Sequence, residues 1–381
     1  ILSIKTSDPR NTTWKNIMRV CSSRAYSTDS WKHDEITIEL IQYMSCHNEV
    51  SKFISTSKIE YSIVKSLELA IIGFNSARSE YDETESAEPV PPKLVQRTLN
   101  EQGFHRILSK DQMKNVSKLV SIPSGATFSV PGAGKTTEAL AFFFFSREVD
   151  EKLLVIGPKN AFAAWEEEIV ECFTDINNKI SKKFDFVRLT GGSVRIGKLL
   201  KKRPDFMLIN YHQLASKTND EAKVLDEVSN YLANNNVSIF VDESHRMKGG
   251  ENGEHGRSVL ALSDLSNKKL VMSGTPMPQG PSDLVGQFRF LYPAVPNVNE
   301  NNVVNFFQTR FVRTTKSDMD LPEPIREYIK LPMKPAQSAL YDMVCSESAL
   351  TSAKLNRIIT RSESRYIREM RRIVIRLIQI A

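Results

Sequence analysis

Short apolar runs alternate with amphipathic stretches between residues 93 and 325. The apolar runs are rich in Val, Ile, Leu and Phe, which is typical of parallel strands covered on both faces. Strands that alternate with helices predict a doubly wound α/β domain, here over residues 96–325, with ligands at the carboxyl ends of the strands. We predict strands near residues 126–130, 153–157, 185–189, 206–210, 237–241 and 269–272.

The two ends of the chain follow other patterns. Residues 1–79 predict a small module that is mostly helical or α+β, in which 36–41 fits either a strand or a helix and 63–74 predicts an apolar helix. An acidic, proline-rich stretch then predicts a linker over residues 80–95. At the other end, residues 326–381 predict a helical extension.

A glycine-bearing loop follows the first predicted strand of the α/β domain. It reads Ser129-Val130-Pro131-Gly132-Ala133-Gly134-Lys135-Thr136, and Thr137 continues it into a helix. Two glycines let backbone N–H groups point inward, and the positive end of the helix faces the same place. The lysine of such a loop reaches the β- and γ-phosphates, and the next threonine ligates Mg²⁺. We therefore predict a nucleotide site at residues 131–137, although Ser129 stands where the full pattern has glycine.

A second motif pairs an apolar strand with two carboxylates. Residues 237–241 are apolar and rich in β-branched side chains, and Asp242 and Glu243 follow directly. We predict that Asp242 holds Mg²⁺, directly or through water, and that Glu243 acts as general base on the attacking water. Helix capping by these carboxylates is a compatible alternative. Lys135 and the carboxylate pair are expected to meet around one magnesium triphosphate.

Residues 242–245, Asp-Glu-Ser-His, resemble the Asp-Glu-x-His signature of superfamily 2 helicase-like ATPases. Other segments resemble the Swi/Snf type in particular and occur in the order of that family. They are Ile107 to Gln112, Leu153 to Pro158 with Trp165 and Glu168, Leu189 to Gly192, Leu208 to His212, Met272 to Pro276, Phe290 to Pro293 and Phe311 to Lys316. The resemblance covers about residues 105–345 and implies that the α/β domain is the first RecA-like lobe of a P-loop ATPase.

The resemblance also implies roles for single residues. Gln112 is expected to contact adenine. Four residues are expected to couple hydrolysis to movement, namely His245, Ser273, Gly274 and Thr275. Four more are expected to contact the backbone of a DNA duplex, namely Lys159, Asn160, Gly191 and Gly192. Residues 277–281 (Met-Pro-Gln-Gly-Pro) depart from the Gln-Asn pair usual in the family, so the loop is predicted to be stiffer and DNA contacts there are doubtful.

Motors of this type have a second RecA-like lobe, whose arginines stabilise the γ-phosphate in the transition state. The residues after 345 show no strand pattern for that lobe. The expectation is therefore that the chain is a fragment without it, and that it binds nucleotide but hydrolyses it slowly alone.

Charge and composition change this picture at a few points. The chain has 381 residues and a formal net charge of +6, and residues 350–381 carry eight basic residues against two glutamates. Arg357, Arg361 and Arg365 share one face of the predicted C-terminal helix, which fits either a stripe on nucleic-acid phosphates or a solvated face. Four cysteines without paired spacing predict a reducing compartment and no metal cluster. No apolar stretch is long enough to cross a membrane.

The leading hypothesis is an ATP-dependent double-stranded DNA translocase with ATP and Mg²⁺ as cofactors. DNA is favoured over RNA as the partner, and the expected location is the bacterial cytosol, in DNA processing or defence against phage. One alternative is a strand-separating or restriction-type superfamily 2 helicase, which shares all the ATP motifs. Another is a nucleic-acid-binding switch gated by ATP.

Overall fold

The computed structural model describes residues 2–57 other than Tyr26, then Ser62, 65–216, 223–319 and separate positions between 327 and 346. The strands are β1 (Leu2–Lys5), β2 (Glu35–Ile38), β3 (Ser124–Thr127), β4 (Lys152–Ile156), β5 (Phe186–Arg188), β6 (Phe206–Ile209), β7 (Val237–Asp242), β8 (Lys269–Met272) and β9 (Phe311–Val312). The helices are α1 (Thr12–Ser22), α2 (Leu40–Met44), α3 (His47–Ser57), α4 (Lys65–Glu83), α5 (Pro92–Glu101), α6 (Lys110–Leu119), α7 (Lys135–Phe145), α8 (Phe162–Cys172), α9 (Ser193–Leu200), α10 (Tyr211–Ala215), α11 (Val224–Ala233), α12 (Glu254–Leu260), α13 (Ser282–Leu291) and α14 (Val303–Phe307). Short 3₁₀ turns occur at Lys159–Ala161, Ser244–Met247, Gly250–Asn252 and Ser263–Leu265.

The α/β domain contains a seven-stranded sheet in the order β5-β6-β4-β7-β8-β3-β9. All of its strand pairs are parallel. Each strand predicted from the apolar runs is present, which confirms the doubly wound α/β fold. The strand predicted at 126–130 ends at Thr127, although the Phe128 and Val130 N–H groups still bond to the backbone of Val312 and Thr314. Strand β9 was not predicted, since two residues are too few to show a pattern.

Both faces of the sheet are covered by helices. Leu153 and Val155 of β4 pack on one side with residues of α5, α6, α7 and α8. Leu154 and Ile156 of the same strand pack on the other side with residues of α9, α11, α13 and α14. Because neighbouring side chains of a strand point to opposite faces, burial on both sides requires an unbroken apolar run. This is why the strands could be recognised from the sequence.

The described residues from 2 to 57 combine strands and helices in an α+β arrangement. Strands β1 and β2 pair antiparallel, and Trp14, Ile17 and Cys21 of α1 lie in one apolar core with Ile36 and Ile38 of β2. The stretch 36–41, which fitted either a strand or a helix, contains the end of β2 and the beginning of α2.

The end of α4 is held against the α/β domain by a buried arginine. Arg310, which is 3% exposed, precedes β9 and donates from Nε to Thr84 Oγ1 at 2.7 Å and from Nη2 to Tyr81 O at 2.9 Å. Its guanidinium carbon also lies 3.7 Å from the centre of the Tyr81 ring. The stretch predicted as a linker, 80–95, contains the end of α4 and the beginning of α5. The division of the chain into domains stays a prediction.

Candidate nucleotide-binding site

Three chemically distinct loops leave the sheet side by side. Strands β7, β8 and β3 are neighbours, and Asp242 pairs with Met272 while Met272 pairs with Thr127. Because the strands are parallel, the segments that follow them meet at one edge of the sheet. The loop after β3 begins at Phe128, the loop after β8 begins at Ser273, and β7 ends in the carboxylate pair. The structure therefore brings the separate sequence motifs together.

The loop after β3 has the shape of a phosphate cradle. Gly132 and Gly134 adopt φ values of 86° and 79°, which a residue with a Cβ atom rarely adopts. A Cβ atom at Gly134 would also collide with the side-chain amide of Gln112. Helix α7 begins at the next residue with no side-chain cap at its N-terminus. The first N–H groups of this helix therefore point toward the place where an anion would bind.

The three residues that begin α7 differ in their surroundings. Lys135 Nζ donates to the carbonyl oxygens of Ser129 at 3.0 Å and Val130 at 3.4 Å, so the ammonium lies inside the loop. Thr136 is half-buried next to it. Thr137 is 2% exposed and its hydroxyl donates to Glu168 Oε1 at 2.6 Å, so only its backbone remains for a phosphate.

Gln112 connects the start of α6 to the phosphate loop. Its Oε1 accepts the Ser109 N–H at 2.9 Å, and the Ser109 hydroxyl accepts the Gln112 N–H at 3.2 Å, which forms a capping box. Its Nε2 donates to Ala133 O at 3.3 Å. The residue expected to contact adenine therefore lies beside the loop, and the adenine contact itself stays a prediction.

Asp242 is held in place by a tryptophan. The carboxylate is 9% exposed, and Oδ2 accepts the indole N–H of Trp165 at 3.1 Å. Burial raises the pKa of Asp242, the Trp165 hydrogen bond lowers it, the charge of Glu243 raises it, and the charge of Lys135 lowers it, with a net rise. The Trp165 hydrogen bond thus holds the Asp242 carboxylate in one orientation, and its role as a metal ligand stays a prediction.

Glu243 adopts a backbone conformation that is unusual for its residue type. Its φ is 50° and its ψ is 48°, in the left-handed region. Such a conformation costs of order 1–3 kcal/mol in a residue other than glycine and is often found at functional sites. Tyr211 donates its hydroxyl proton to Asp242 O at 2.7 Å and lies 3.3 Å from Glu243 O, which fixes this turn. The Glu243 side chain is 40% exposed and can therefore reach a bound ligand.

The Ser273 hydroxyl connects the turn after Asp242 and Glu243 to the loop after β8. Ser273 Oγ lies 3.1 Å from His245 Nδ1 and accepts the Thr275 N–H at 3.1 Å. His245 Nδ1 also lies 3.3 Å from Glu243 Oε2. Gly274 packs against Pro131 of the phosphate loop, and a Cβ atom at Gly274 would come within 3.0 Å of Pro131 Cδ. The predicted coupling residues therefore contact the phosphate loop through Gly274 and the carboxylate of Glu243 through His245.

The residues predicted to contact DNA lie at the other half of the same sheet edge. Lys159 and Asn160 are exposed and begin the 3₁₀ turn after β4. Gly191 and Gly192 are exposed after β5, and Gln213 braces them by accepting the Gly191 N–H at 3.3 Å and donating to Gly191 O at 2.8 Å. These loops are exposed as a DNA contact requires, and the contact stays a prediction. The arginines at 357, 361 and 365 lie outside the described residues.

Several residues of the site were not assigned a role from their sequence. Trp165 was named only as part of the Swi/Snf resemblance, and the structure shows that its indole N–H contacts Asp242. Gln287 is fully buried, accepts the Ser244 hydroxyl at 2.6 Å and donates to Pro276 O at 2.9 Å. Glu138 is fully buried beneath the phosphate loop. The only signal for Gln287 and Glu138 was a polar residue within an apolar helix.

Two general findings concern the described part of the chain. No helix there is long and apolar enough to cross a membrane. Among these same residues, no group of three or more His, Cys, Asp or Glu side chains is arranged to hold a metal ion.

Comparison with known proteins finds similarity in this region. Residues 121–302 match the family described as SNF2-related domain. The chain is 27% identical over 166 residues to the human DNA annealing helicase and endonuclease ZRANB3, which covers 42% of this chain and 14% of that protein. It is 25% identical over 196 residues to the Saccharomyces cerevisiae ISWI chromatin-remodeling complex ATPase ISW1, covering 48% of this chain and 16% of that protein.

A solved structure is also similar. The Sulfolobus solfataricus SWI2/SNF2 ATPase core in complex with dsDNA matches with a TM-score of 0.43 and 20% identity, covering 73% of this chain and 59% of that one. The matches to the curated relatives span 14% to 16% of their length.

Proposed function

We propose that this chain, in which residues 121–302 match the SNF2-related domain family, is the ATP-binding lobe of a motor that moves along double-stranded DNA. One observation carries the proposal. The adjacent ends of β3, β8 and β7 bring together the phosphate loop, the Ser273 hydroxyl and the carboxylates of Asp242 and Glu243. A nucleoside triphosphate needs cationic and N–H donors on one side and carboxylates on the other, and this edge supplies both.

The donors at this edge suit magnesium. Mg²⁺ prefers oxygen ligands and is usually bound by one or two carboxylates together with substrate phosphates. The Thr136 hydroxyl and the Asp242 carboxylate are oxygen ligands of this kind and would hold the ion. When bound, Mg²⁺ neutralises charge on the phosphate oxygens.

The side chains of the chain then have distinct tasks in hydrolysis. Lys135 and the N–H groups that begin α7 bind the phosphates. Glu243 orients the attacking water and accepts its proton. Trp165 keeps the Asp242 carboxylate in one orientation. His245 and Ser273 connect Glu243 to the loop after β8, so that a change at the phosphates can reach that loop.

Double-stranded DNA is the proposed track. The SNF2-related match favours it, and the exposed segments after β4 and β5 offer polar and backbone groups. Contacts of this kind address the phosphate backbone and do not depend on base sequence. A location in the bacterial cytosol, with a role in DNA processing or phage defence, is part of the same proposal.

Hydrolysis at full rate should need more than the residues at this edge. The Swi/Snf resemblance implies arginines from a second RecA-like lobe, and arginines of this kind contribute about a thousandfold or more to the rate of phosphoryl transfer. The residues of this edge are therefore proposed to bind Mg²⁺–ATP, and fast hydrolysis is proposed to depend on such arginines.

The first test measures nucleotide binding with a fluorescent ATP analogue in the presence of Mg²⁺. Lys135→Ala should abolish binding, and Glu243→Gln should keep binding while hydrolysis is lost. Lys201→Ala is the matched control, because Lys201 is exposed and precedes β6 at the opposite end of the strands. Equal affinity of the chain and its Lys135→Ala variant would end the ATPase proposal.

The second test separates the possible outputs of the motor. A protein that contains this chain and its second lobe should displace a triplex-forming strand from duplex DNA in an ATP-dependent manner without unwinding the duplex. Strand separation instead would favour the superfamily 2 helicase alternative. Full activity in cells after Glu243→Gln, together with loss after Lys135→Ala, would favour the ATP-gated switch.

A further inference from the structure

Five polar side chains meet in the interior beneath the phosphate loop. None of them is more than 5% exposed. They come from α6, from β3, from the phosphate loop, from α7 and from the segment after β9. We call this set the buried polar cluster, and its members are Asn115, Thr127, Ser129, Glu138 and Thr314.

Hydrogen bonds join the buried polar cluster into one network. Glu138 accepts from Asn115 Nδ2 at 2.7 Å and from the Thr127 hydroxyl at 2.8 Å, one bond on each carboxylate oxygen. Asn115 Nδ2 also donates to Thr314 Oγ1 at 2.9 Å. Thr127 Oγ1 lies 3.2 Å from Ser129 Oγ. Each of the five side chains therefore has a partner inside the network.

The Ser129 hydroxyl takes the place of a backbone acceptor at the point where the chain leaves β3. The Phe128 N–H bonds to Val312 O at 2.9 Å, and the Val130 N–H bonds to Thr314 O at 3.0 Å, so the parallel pairing with β9 extends past both strands. The Thr314 N–H bonds instead to the Ser129 hydroxyl at 3.0 Å. A glycine at 129, as in the full loop pattern, would have no hydroxyl to accept this N–H.

The same serine contacts the phosphate-binding lysine. Its carbonyl oxygen accepts from Lys135 Nζ at 3.0 Å, while its hydroxyl holds Thr314. A triphosphate would compete for the Lys135 ammonium, because charged oxygens make the stronger bonds. Ser129 is therefore the point where a change at the phosphates would act on the segment that follows β9.

Movement of residues 312–316 away from the phosphate loop would cost free energy. A buried donor or acceptor that loses its partner costs about 1–3 kcal/mol. Displacement of the 312–316 segment from the phosphate loop would break the Thr314 bonds to Ser129 and Asn115 and the backbone bond to Val130 together. The two segments are thus expected to shift as one unit or not at all.

We propose that Ser129 and Glu138 are positioning residues that couple nucleotide binding at the phosphate loop to the backbone of residues 312–316. This inference rests on the proposed ATPase function and specifies how the site communicates with the part of the chain beyond β9. The class of ligand is a nucleoside triphosphate with its magnesium ion. The responding element is the segment that contains Thr314.

Hydrogen–deuterium exchange on the full 381-residue chain tests the coupling. Saturation with Mg²⁺ and a non-hydrolysable ATP analogue should slow exchange in peptides covering residues 311–319 by about fivefold or more, the lower end of usual coupling strengths. Ser129→Ala should bind the analogue at saturation and lose this response, and Ser129→Thr should restore it. Ser117→Ala is the matched control, because Ser117 is a buried serine of α6 whose hydroxyl makes no hydrogen bond within the described part of the chain.

A second readout concerns Glu138 itself. Glu138 accepts one hydrogen bond from Asn115 and one from Thr127, so it connects α6 and β3 to the start of α7. Glu138→Ala removes both acceptors and should lose the exchange response of residues 311–319. Glu138→Gln keeps an acceptor for Asn115 and should restore the response.

The outcomes are separable from those of the proposed function. If the wild type binds no nucleotide in the separate fluorescence titration, the ATPase proposal and this inference both fall. If it binds but the exchange of 311–319 stays unchanged, only the coupling is wrong, and this holds whether or not any variant folds. A full exchange response in Ser129→Ala would also overturn the coupling, as would a full response in Glu138→Ala.

Discussion

Replacement of Glu138 by glutamine should stabilise the fold above neutral pH and not at acidic pH. Glu138 is fully buried among Asn115, Thr127 and the start of α7. Glutamine has almost the same shape and can still accept from Asn115, and the Thr127 hydroxyl can rotate to accept from it. The change therefore removes a buried charge with little change in packing.

The magnitude follows from the pKa of Glu138. Burial raises this pKa from its ordinary value of 4.5 to about 7, against the opposing hydrogen bonds of Asn115 and Thr127 and the charge of Lys135. Between these values the folded protein keeps a proton that the unfolded chain releases, so the free energy of unfolding falls as pH rises through the interval. At about 1.4 kcal/mol per pH unit, the loss amounts to roughly 3 kcal/mol above pH 7.

Urea unfolding followed by circular dichroism at pH 5 and pH 8 measures the effect. At pH 5, Glu138 is protonated in the folded wild type, so the wild type and Glu138→Gln should differ only by small packing terms. At pH 8, the variant should gain roughly 2–3 kcal/mol relative to the wild type. Glu167→Gln on α8 is the matched control, because Glu167 is exposed, and it should stay within about 0.5 kcal/mol at both pH values.

The comparison of the two pH values makes the test independent of steric effects. A packing defect from glutamine would lower the free energy of unfolding equally at pH 5 and pH 8. It would therefore add nothing to the difference between the stability changes measured at the two pH values. An equal shift at both pH values would therefore show that Glu138 carries no buried charge at pH 8. A variant that loses stability between pH 5 and pH 8 relative to the wild type would refute the argument with the opposite sign.

Other contacts lead to further predictions. Trp165→Phe keeps a buried ring but removes the N–H that bonds to Asp242. Because such bonds contribute about 1.5–3 kcal/mol, the Mg²⁺ concentration for half-maximal nucleotide binding should rise about tenfold. An unchanged Mg²⁺ requirement in calorimetric titrations would contradict this. Gln213→Ala removes the two hydrogen bonds to the backbone of Gly191. It should weaken duplex DNA binding several-fold in fluorescence anisotropy and leave nucleotide affinity unchanged. Equal DNA affinity of the variant and the wild type would argue against that loop as a DNA contact. Arg310→Met removes the bonds to Tyr81 and Thr84 and should speed limited proteolysis within residues 84–91, and cleavage at the wild-type rate would show that Arg310 does not hold α4.

Much of the fold could be predicted because local patterns report it directly. Strands β4 and β7 are apolar at nearly every position, since both of their faces are covered. The glycine loop was recognisable because its geometry requires positive φ at Gly134, which few residues other than glycine adopt. Asp242 and Glu243 stood out because two carboxylates come at the end of an apolar strand, and their catalytic roles stay predictions. Each of these signals lies within a few consecutive residues.

Other features have no signal of that kind. The polar partners of Glu138 come from positions as far apart as 115 and 314, and no local pattern shows that they meet. Trp165 looks like a core residue in the sequence, because its apolar ring hides the single N–H that contacts Asp242. Ser129 looked like a departure from the loop pattern, and only its neighbour Thr314 explains the hydroxyl.

The sequence by itself determined the type and order of the strands, the phosphate loop and the acidic strand end, because these depend on burial and backbone conformation within short stretches. The tertiary structure alone decided which side chains meet, since strand order places β8 between β3 and β7 and brings β9 beside β3. Hydrogen bonds act over about 3 Å, so a network such as the one around Glu138 exists only once distant segments are packed together.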